Sequence, residues 1–202
     1  MQTKIRLFGS PSIEVDGRLS RLTQSKKSIA LLAYLVDQQT PQSREVVADL
    51  VWDATSTKQS LHRLRELLTR IRPVLVDLKT TRKMIWLEPE PDTEIDFLVW
   101  RAAHDAQSID ALNGALGQVR GEFLQGFSLP DVPQFDQWLR VAREQIRLDV
   151  QRGYQRLAEM CVTQKSWQLG EQVARRWLTI DPLDESAYAL GVHSSRELMR
   201  SD

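Results

Sequence analysis

Basic and amide side chains recur along one side of the segment from Thr57 to Arg72, which is the part of this chain best suited to chemistry with an anionic partner. Leucine and isoleucine recur at positions 61, 64, 68 and 71, the spacing of a helix buried along one face. The opposite side carries Lys58, Gln59, His62, Arg63 and Arg70, with Arg65 on its flank. Such donors read base edges and neutralise phosphates in DNA. The same pattern fits a solvated surface helix, so the neighbouring elements must decide between the two interpretations.

The charge of the chain is divided unevenly, although its formal net charge is zero over 202 residues. Residues 1–91 hold 15 Lys and Arg against 10 Asp and Glu, a net charge of +5. Residues 92–202 hold 12 against 17, a net charge of −5. We therefore expect a nucleic-acid partner to meet the first part only.

The sequence offers no sign of a membrane or of an oxidising compartment. No apolar run approaches the roughly 20 residues that a membrane span requires, and the N-terminal residues lack an apolar signal core. The single cysteine, Cys161, fits a reducing compartment and lies in an apolar helical stripe. We expect a cytoplasmic protein without a membrane partner.

The first part of the chain is predicted to contain short strands, then three helices, then a hairpin. The predicted strands are residues 4–8, 13–15, 74–78 and 84–87, and the predicted helices are residues 24–38, 44–52 and 57–72. Thr23 or Ser25 is expected to cap the first helix and Ser43 the second, while Pro73 ends the third. The polar turn at residues 79–83 gives the hairpin a cationic tip.

This order is the layout of a winged helix-turn-helix, in which the third helix enters the major groove and the hairpin, called the wing, contacts a neighbouring groove or the backbone. Three short helices could equally form an inert packing module. Because both the third helix and the wing tip are basic, we favour DNA binding.

The acidic, proline-rich segment at residues 88–92 marks a predicted boundary between a domain of residues 1–91 and one of residues 92–202. The second domain is predicted to be helical, at residues 96–106 and 108–119, in a helix of about 30 residues after Pro133, and in two helices separated by Asp181-Pro182. The last two resemble a tetratricopeptide repeat, of which about one and a half units are visible. The final helix is either a cap or part of an incomplete pair, and we favour a longer protein with further C-terminal domains.

Several segments resemble a known family. KKSIALLAYL (26–35), SREVVADLVW (43–52) and SLHRLRELL (60–68) resemble the OmpR-type winged helix of the Streptomyces antibiotic regulatory protein family. EIDFLVWRAA (94–103), GEFLQGF (121–127), QFDQWLRVAREQIR (134–147) and ARRWLTIDPLDESAY (174–188) resemble its bacterial transcriptional activator domain. The implied fold is mainly α with small β-sheets, a winged helix-turn-helix domain followed by an all-α tetratricopeptide-like domain.

The resemblance implies a bacterial transcription activator that binds promoter direct repeats, assembles side by side on them and recruits RNA polymerase. Matched by position, Lys58, Gln59, His62 and Arg63 fall where the third helix faces the major groove, and Arg65 falls at a common phosphate contact. Thr81, Arg82 and Lys83 fall on the wing tip, and Ser43 and Arg44 begin the second helix beside the phosphate backbone.

Two features depart from the family pattern. The wing segment TTRKMIWL has no glycine, although the family's wing usually carries glycines, so the geometry of the turn is open. Glu66 stands where a basic residue is common, and it would either repel a phosphate or pair with Arg63 or Arg70.

Two other classes of function compete with DNA binding. An enzyme is not expected, because His62, His104 and His193 are dispersed, no metal-ligand spacing occurs and no phosphate-binding glycine loop is present. No metal or other cofactor is predicted. The remaining alternative is a protein-interaction scaffold in which the winged helix and the helical repeats bind proteins rather than DNA, and the salt dependence of DNA binding distinguishes it from an activator.

Overall fold

The computed structural model describes residues 2–53 and 56–201, and it divides the chain into two compact units. The first unit is Met1–Phe97 together with Leu124–Arg143, and the second is Leu98–Phe123 together with Glu144–Asp202. The units therefore divide at other points than the predicted boundary after residue 91. The assignment of residues 1–91 to DNA binding and of residues 92–202 to activation stays a prediction.

A four-stranded sheet opens the first unit and is completed by a strand from much later in the chain. Its strands are β1 (Thr3–Arg6), β2 (Ser12–Val15), β3 (Arg18–Leu19) and β7 (Thr93–Ile95), in the order β3-β2-β1-β7. In β1, Ile5 lies opposite Ile13 of antiparallel β2 and Ile95 of parallel β7, and all three side chains are buried. Residues beyond the predicted boundary thus complete the sheet of the first unit.

Three helices follow, each beginning next to a serine. They are α1 (Lys26–Gln38), α2 (Arg44–Val51) and α3 (Thr57–Ile71). The side chain of Ser25 accepts a hydrogen bond from the Ser28 amide and that of Ser56 accepts one from the Gln59 amide, so both are N-caps. Ser43 occupies the N-cap position of α2, as predicted, but its side chain makes no capping hydrogen bond, and its backbone belongs to a short strand, β4 (Gln42–Ser43).

The buried face of α3 differs slightly from the predicted leucine stripe. The residues that face the core are Ser60, Leu64, Leu67, Leu68 and Ile71. Leu61, which the periodicity places in the core, is only half-buried. The buried face is centred between Ile71 and Leu64, and Leu61 lies beyond Leu68 at its edge, since each residue advances a helix by about 100°.

The wing is shorter than predicted, with strands β5 (Leu78–Thr80) and β6 (Met84–Leu87). The predicted strand at residues 74–78 is wrong, because the amides of Val74 and Leu75 donate to the Ile71 carbonyl and continue the turn that ends α3. The hairpin pairs Leu78 with Leu87, and β4 adds a third strand on the other side of β6. Only residues 81–83 are left for the turn at its tip.

The remaining elements are helical, as predicted. They are α4 (Asp96–Ala103), α5 (Ile109–Leu116), α6 (Pro133–Thr163), α7 (Trp167–Ile180) and α8 (Glu185–Ser201). The expected long helix is α6, a continuous helix of 31 residues. In the second unit α7 and α8 pack as a helix pair, consistent with the predicted repeat.

Gly170 of α7 lies in close contact with α8. A Cβ atom added to Gly170 would lie 2.4 Å from the Oγ atom of Ser194 and 3.5 Å from its Cβ. Ser194 is fully buried, and its hydroxyl has no hydrogen-bond partner among the described residues. The packing of the pair therefore depends on a glycine facing a small side chain.

We expect the effects of substitutions at these two positions to be strongly coupled. Gly170→Ala should lower the free energy of unfolding by about 1 to 2 kcal/mol, because the methyl group overpacks the contact with Ser194. Ser194→Ala removes an unpaired buried hydroxyl and should be neutral or slightly stabilising. The double variant should be at least as stable as the native chain, since alanine also favours the helix. Urea unfolding of the four proteins measures this coupling, and simple additivity of the two changes would contradict the proposed contact.

Candidate nucleic-acid interface

The first two turns of α3 present the predicted base-reading residues on an exposed surface. Lys58, Gln59, His62 and Arg63 are all exposed, while Leu64, the next residue along the chain, is fully buried and anchors the helix. The N-cap at Ser56 fixes the first turn from which Lys58 and Gln59 project. The sequence-predicted side chains therefore stand on a rigid helix rather than on a loop.

Glu66 reduces the charge of this surface at one point only. Its Oε1 atom lies 3.5 Å from Nε2 of His62, one helical turn earlier. The expectation that Glu66 pairs with Arg63 or Arg70 is therefore wrong, because its carboxylate lies beside His62 and forms no ion pair with either arginine among the described residues. Arg63 makes no ion pair with another described residue.

Lys27 in the first turn of α1 is a cation near this surface that sequence reasoning missed. Its Nζ atom donates a hydrogen bond to the Val51 carbonyl over 2.7 Å. Val51 is the last residue of α2, and a positive charge interacts favourably with the C-terminal end of a helix. Burial lowers the pKa of Lys27, the charge of Asp131 opposes this shift, and that of Arg63 adds to it. Lys27 therefore holds the end of α2 and lies within electrostatic range of Arg63. The only signal in the sequence is the Lys26-Lys27 pair, which many solvated helices also carry.

A second group of predicted residues meets at a shallow pocket between α2, α3 and the wing. Its volume is about 250 Å³, and it is lined by Ser43, Arg44, Glu45, Leu61, Arg65, Arg82 and Lys83. Five predicted DNA-contact residues are thus brought together although they are up to 40 positions apart in sequence, from 43 to 83. Lys58, Gln59, His62 and Arg63 do not line this pocket. They lie two to seven residues before Arg65 on the same helix.

The pocket concentrates positive charge. The pKa of Arg44 is lowered first by burial and then by the neighbouring charges of Arg65 and Arg72. In the part of the chain that the structure describes, none of Lys58, Arg63, Arg65, Arg82 and Lys83 forms an ion pair with a carboxylate. Lys79, by contrast, is paired with Glu90 at 2.8 Å and so does not add to the charge at the wing tip. Glu45 is the one acidic side chain that lines the pocket.

The wing turn is closed by a threonine hydroxyl instead of a glycine. The amide of Thr81 donates to the Met84 carbonyl over 2.9 Å, and the Thr81 Oγ1 atom accepts from the amides of Lys83 and Met84. Neither Arg82 nor Lys83 has a positive φ angle. The turn therefore needs no glycine, because glycine is required only where the backbone is left-handed.

Among residues 2–53 and 56–201 no group of three or more His, Cys, Asp or Glu side chains could hold a metal ion. Within the same residues no helix is both long enough and apolar enough to cross a membrane.

Comparison with known proteins supports the fold but does not extend to a family. No family model matches the chain, and no curated protein is similar to it in sequence. A solved structure of EmbR from Mycobacterium tuberculosis, in complex with a low affinity phosphopeptide, matches it with a TM-score of 0.50 and 18% sequence identity. The match covers 97% of this chain but only 65% of the EmbR chain. At this identity the likeness concerns the fold alone, and the predicted fold class, a winged helix with a helical domain, is confirmed.

Proposed function

We propose that this chain is a sequence-specific DNA-binding transcriptional activator of the Streptomyces antibiotic regulatory protein family. The observation that carries this proposal is the set of exposed cations on α3 and the wing that have no carboxylate partner among the described residues. Exposed positive charges on neighbouring elements repel one another unless a polyanion neutralises them. A winged helix-turn-helix places the same elements against DNA.

The interface divides into a base-reading part and a backbone part. Lys58, Gln59, His62 and Arg63 project from the exposed side of α3, the element that enters a major groove about 12 Å wide. Arg65 and Ser43, with Arg82 and Lys83 of the wing, surround the pocket and are proposed to contact phosphates. Such contacts fix register, whereas contacts from the first group carry specificity.

The helical unit is proposed to supply the protein contacts of an activator. A groove between α7 and α8 has a volume of about 620 Å³ and is lined by apolar side chains that include Ala174, Leu178 and Val192. Apolar surfaces of this kind mark protein interaction sites. RNA polymerase is the partner we propose, with side-by-side assembly of copies on promoter direct repeats. We propose that the protein acts in the cytoplasm and has no enzymatic activity.

The test is a DNA titration at several salt concentrations with the full 202-residue chain. Fluorescence anisotropy is measured on a random duplex and on a selected duplex, obtained by repeated capture from a random pool. We expect tighter binding to the selected duplex and a linear fall of log K with log salt, with a slope of about −0.9 for each phosphate contact. The absence of saturable binding to either duplex at low salt would overturn the proposal.

The apolar surface of α7 and α8 also favours a second candidate, a protein-interaction scaffold. In that case the winged helix binds proteins and the chain captures no duplex from the random pool. The two candidates differ in the same titration, because only a DNA reader loses affinity steeply as counterions are added.

A further inference from the structure

We infer that Arg44 and Arg72 are positioning residues that hold the wing against α2 and α3, and that they act on DNA through the wing rather than by contacting it. This inference rests on the proposed function. It concerns how the charged turn at Arg82 and Lys83 is kept in place, and it changes the role predicted for Arg44.

Arg44 holds both ends of the wing turn. Its backbone amide donates to the Lys83 carbonyl over 2.8 Å, and its Nη1 atom donates to the Thr81 carbonyl over 3.3 Å. Arg44 is the first residue of α2, so these bonds join the turn to the start of a helix. The side chain is half-buried, and its Nε atom is enclosed. The guanidinium is therefore directed into the protein and toward the wing.

Arg72 holds the wing from the other side. It is the residue that follows α3, and its Nη2 atom donates to the Thr80 hydroxyl in β5. The wing is thus joined by one arginine to α2 and by another to α3. The Arg44 contact could not be found from sequence spacing, because Arg44 lies 37 residues from Thr81.

The hydrogen bonds from Arg44 and Arg72 form a brace for the wing. The brace is needed because the wing is short and because the side chains around it also carry positive charge. Its strands have three and four residues, and β4 adds only a two-residue strand to this hairpin, which would be marginal alone. Thr81, Arg82 and Lys83 are all exposed, and Arg65 and Arg44 line the same pocket as the tip. Repulsion among these cations would move the wing away from the helices. Two arginines that donate hydrogen bonds to the wing oppose that movement.

The first test is a double-variant cycle on the selected duplex. Arg44→Met is made in the native chain and in one that already carries Arg82→Ala and Lys83→Ala, which has no wing charges to position. We expect Arg44→Met to weaken binding about 10-fold in the native chain and less than 2-fold in the second, because coupled residues are not additive. Arg44→Lys keeps one donor and should recover most of the affinity. Arg18→Met removes an exposed charge on β3 and is the control.

The salt slope separates positioning from direct contact. In the chain without wing charges, Arg44→Met should leave the slope of log K against log salt unchanged. A direct phosphate contact would instead reduce the slope by about 0.9 in both backgrounds. That result, or equal losses of affinity in the two chains, would overturn the inference for Arg44.

A second measurement tests the brace without DNA. Amide hydrogen exchange of Thr81 and Met84 reports whether the turn stays closed, and we expect Arg44→Met and Arg72→Met to accelerate it several-fold while the melting temperature stays within about 2 °C. If the native chain bound no DNA, the proposed function would fail but this measurement would still decide the inference. Unchanged exchange in both variants would overturn it.

Discussion

Replacing Arg63 by alanine is expected to weaken binding to the selected duplex by about 1 to 3 kcal/mol, roughly 5- to 150-fold, and to relax specificity at one base pair. Arg63 is exposed on the second turn of α3 and makes no ion pair with another described residue. A guanidinium there can donate two parallel hydrogen bonds to a guanine, which alanine cannot replace. The measurement is the affinity for the selected duplex and for its single-base variants, with the random duplex as reference.

The matched variant for this prediction is Arg82→Ala. Arg82 is exposed on the wing turn and lines the pocket with Arg65. We therefore expect it to contact phosphates of the DNA backbone rather than base edges. Its loss should weaken binding to all sequences alike and lower the salt slope by about 1. If both variants lost affinity equally on selected and random DNA, the assignment of Arg63 to base reading would be wrong.

Replacing Asp96 by alanine is expected to lower the free energy of unfolding by about 3 kcal/mol. The carboxylate is buried and accepts hydrogen bonds from the backbone amides of Leu7, Phe8 and Phe97. It thus fastens the start of α4 to the end of β1. Alanine offers those buried donors no acceptor, whereas Asn keeps one oxygen and should cost about half as much. Urea unfolding of the full chain measures both losses, and equal stability of all three proteins would contradict this role.

The same carboxylate gives stability a defined dependence on pH. Burial raises the pKa of Asp96 from 3.8 to about 6, although the three backbone amides and the charge of Arg6 oppose the shift. The native state therefore holds the proton more tightly than the unfolded state. The stabilisation from Asp96 is complete below about pH 4 and declines as the pH rises to about 6. The loss caused by Asp96→Asn should thus be larger at about pH 4 than at pH 7, and a loss that grows with pH would show a lowered pKa instead.

Local patterns predicted the elements of the interface well. The leucine period placed the third helix at residues 57–72, and it spans Thr57–Ile71. Ser25 is one of the two predicted caps of α1 and does cap it. These features succeed because a helix and its cap are determined within a few residues of sequence. The prediction failed at residues 74–78, where a nearly continuous apolar run suggests a strand but the end of α3 continues in a turn that buries Leu75.

Long-range polar contacts were beyond the sequence. Asp77 is buried and accepts hydrogen bonds from the amide of Glu90 and the hydroxyl of Thr93. Asp96 reaches Leu7 and Phe8 across about 90 positions. In both cases an acidic residue within a predicted element looks like an ordinary surface charge. The exposed cations of the interface could be found from their residue types, but their grouping around one pocket depends on how α2, α3 and the wing pack together.

The first unit, which includes the parallel strand β7, is formed from two separate stretches of the chain. Residues 93–97 close the sheet, and residues 124–143 return to the same unit, where the Leu124 amide donates to the Leu7 carbonyl and Trp138 packs edge-on against Tyr34. A cut after residue 91 would strip β1 of a neighbour and open a pairing edge that invites aggregation. Recombination or cloning therefore cannot transfer this winged helix as residues 1–91 alone. A gene segment that encodes the complete unit must include both Met1–Phe97 and Leu124–Arg143.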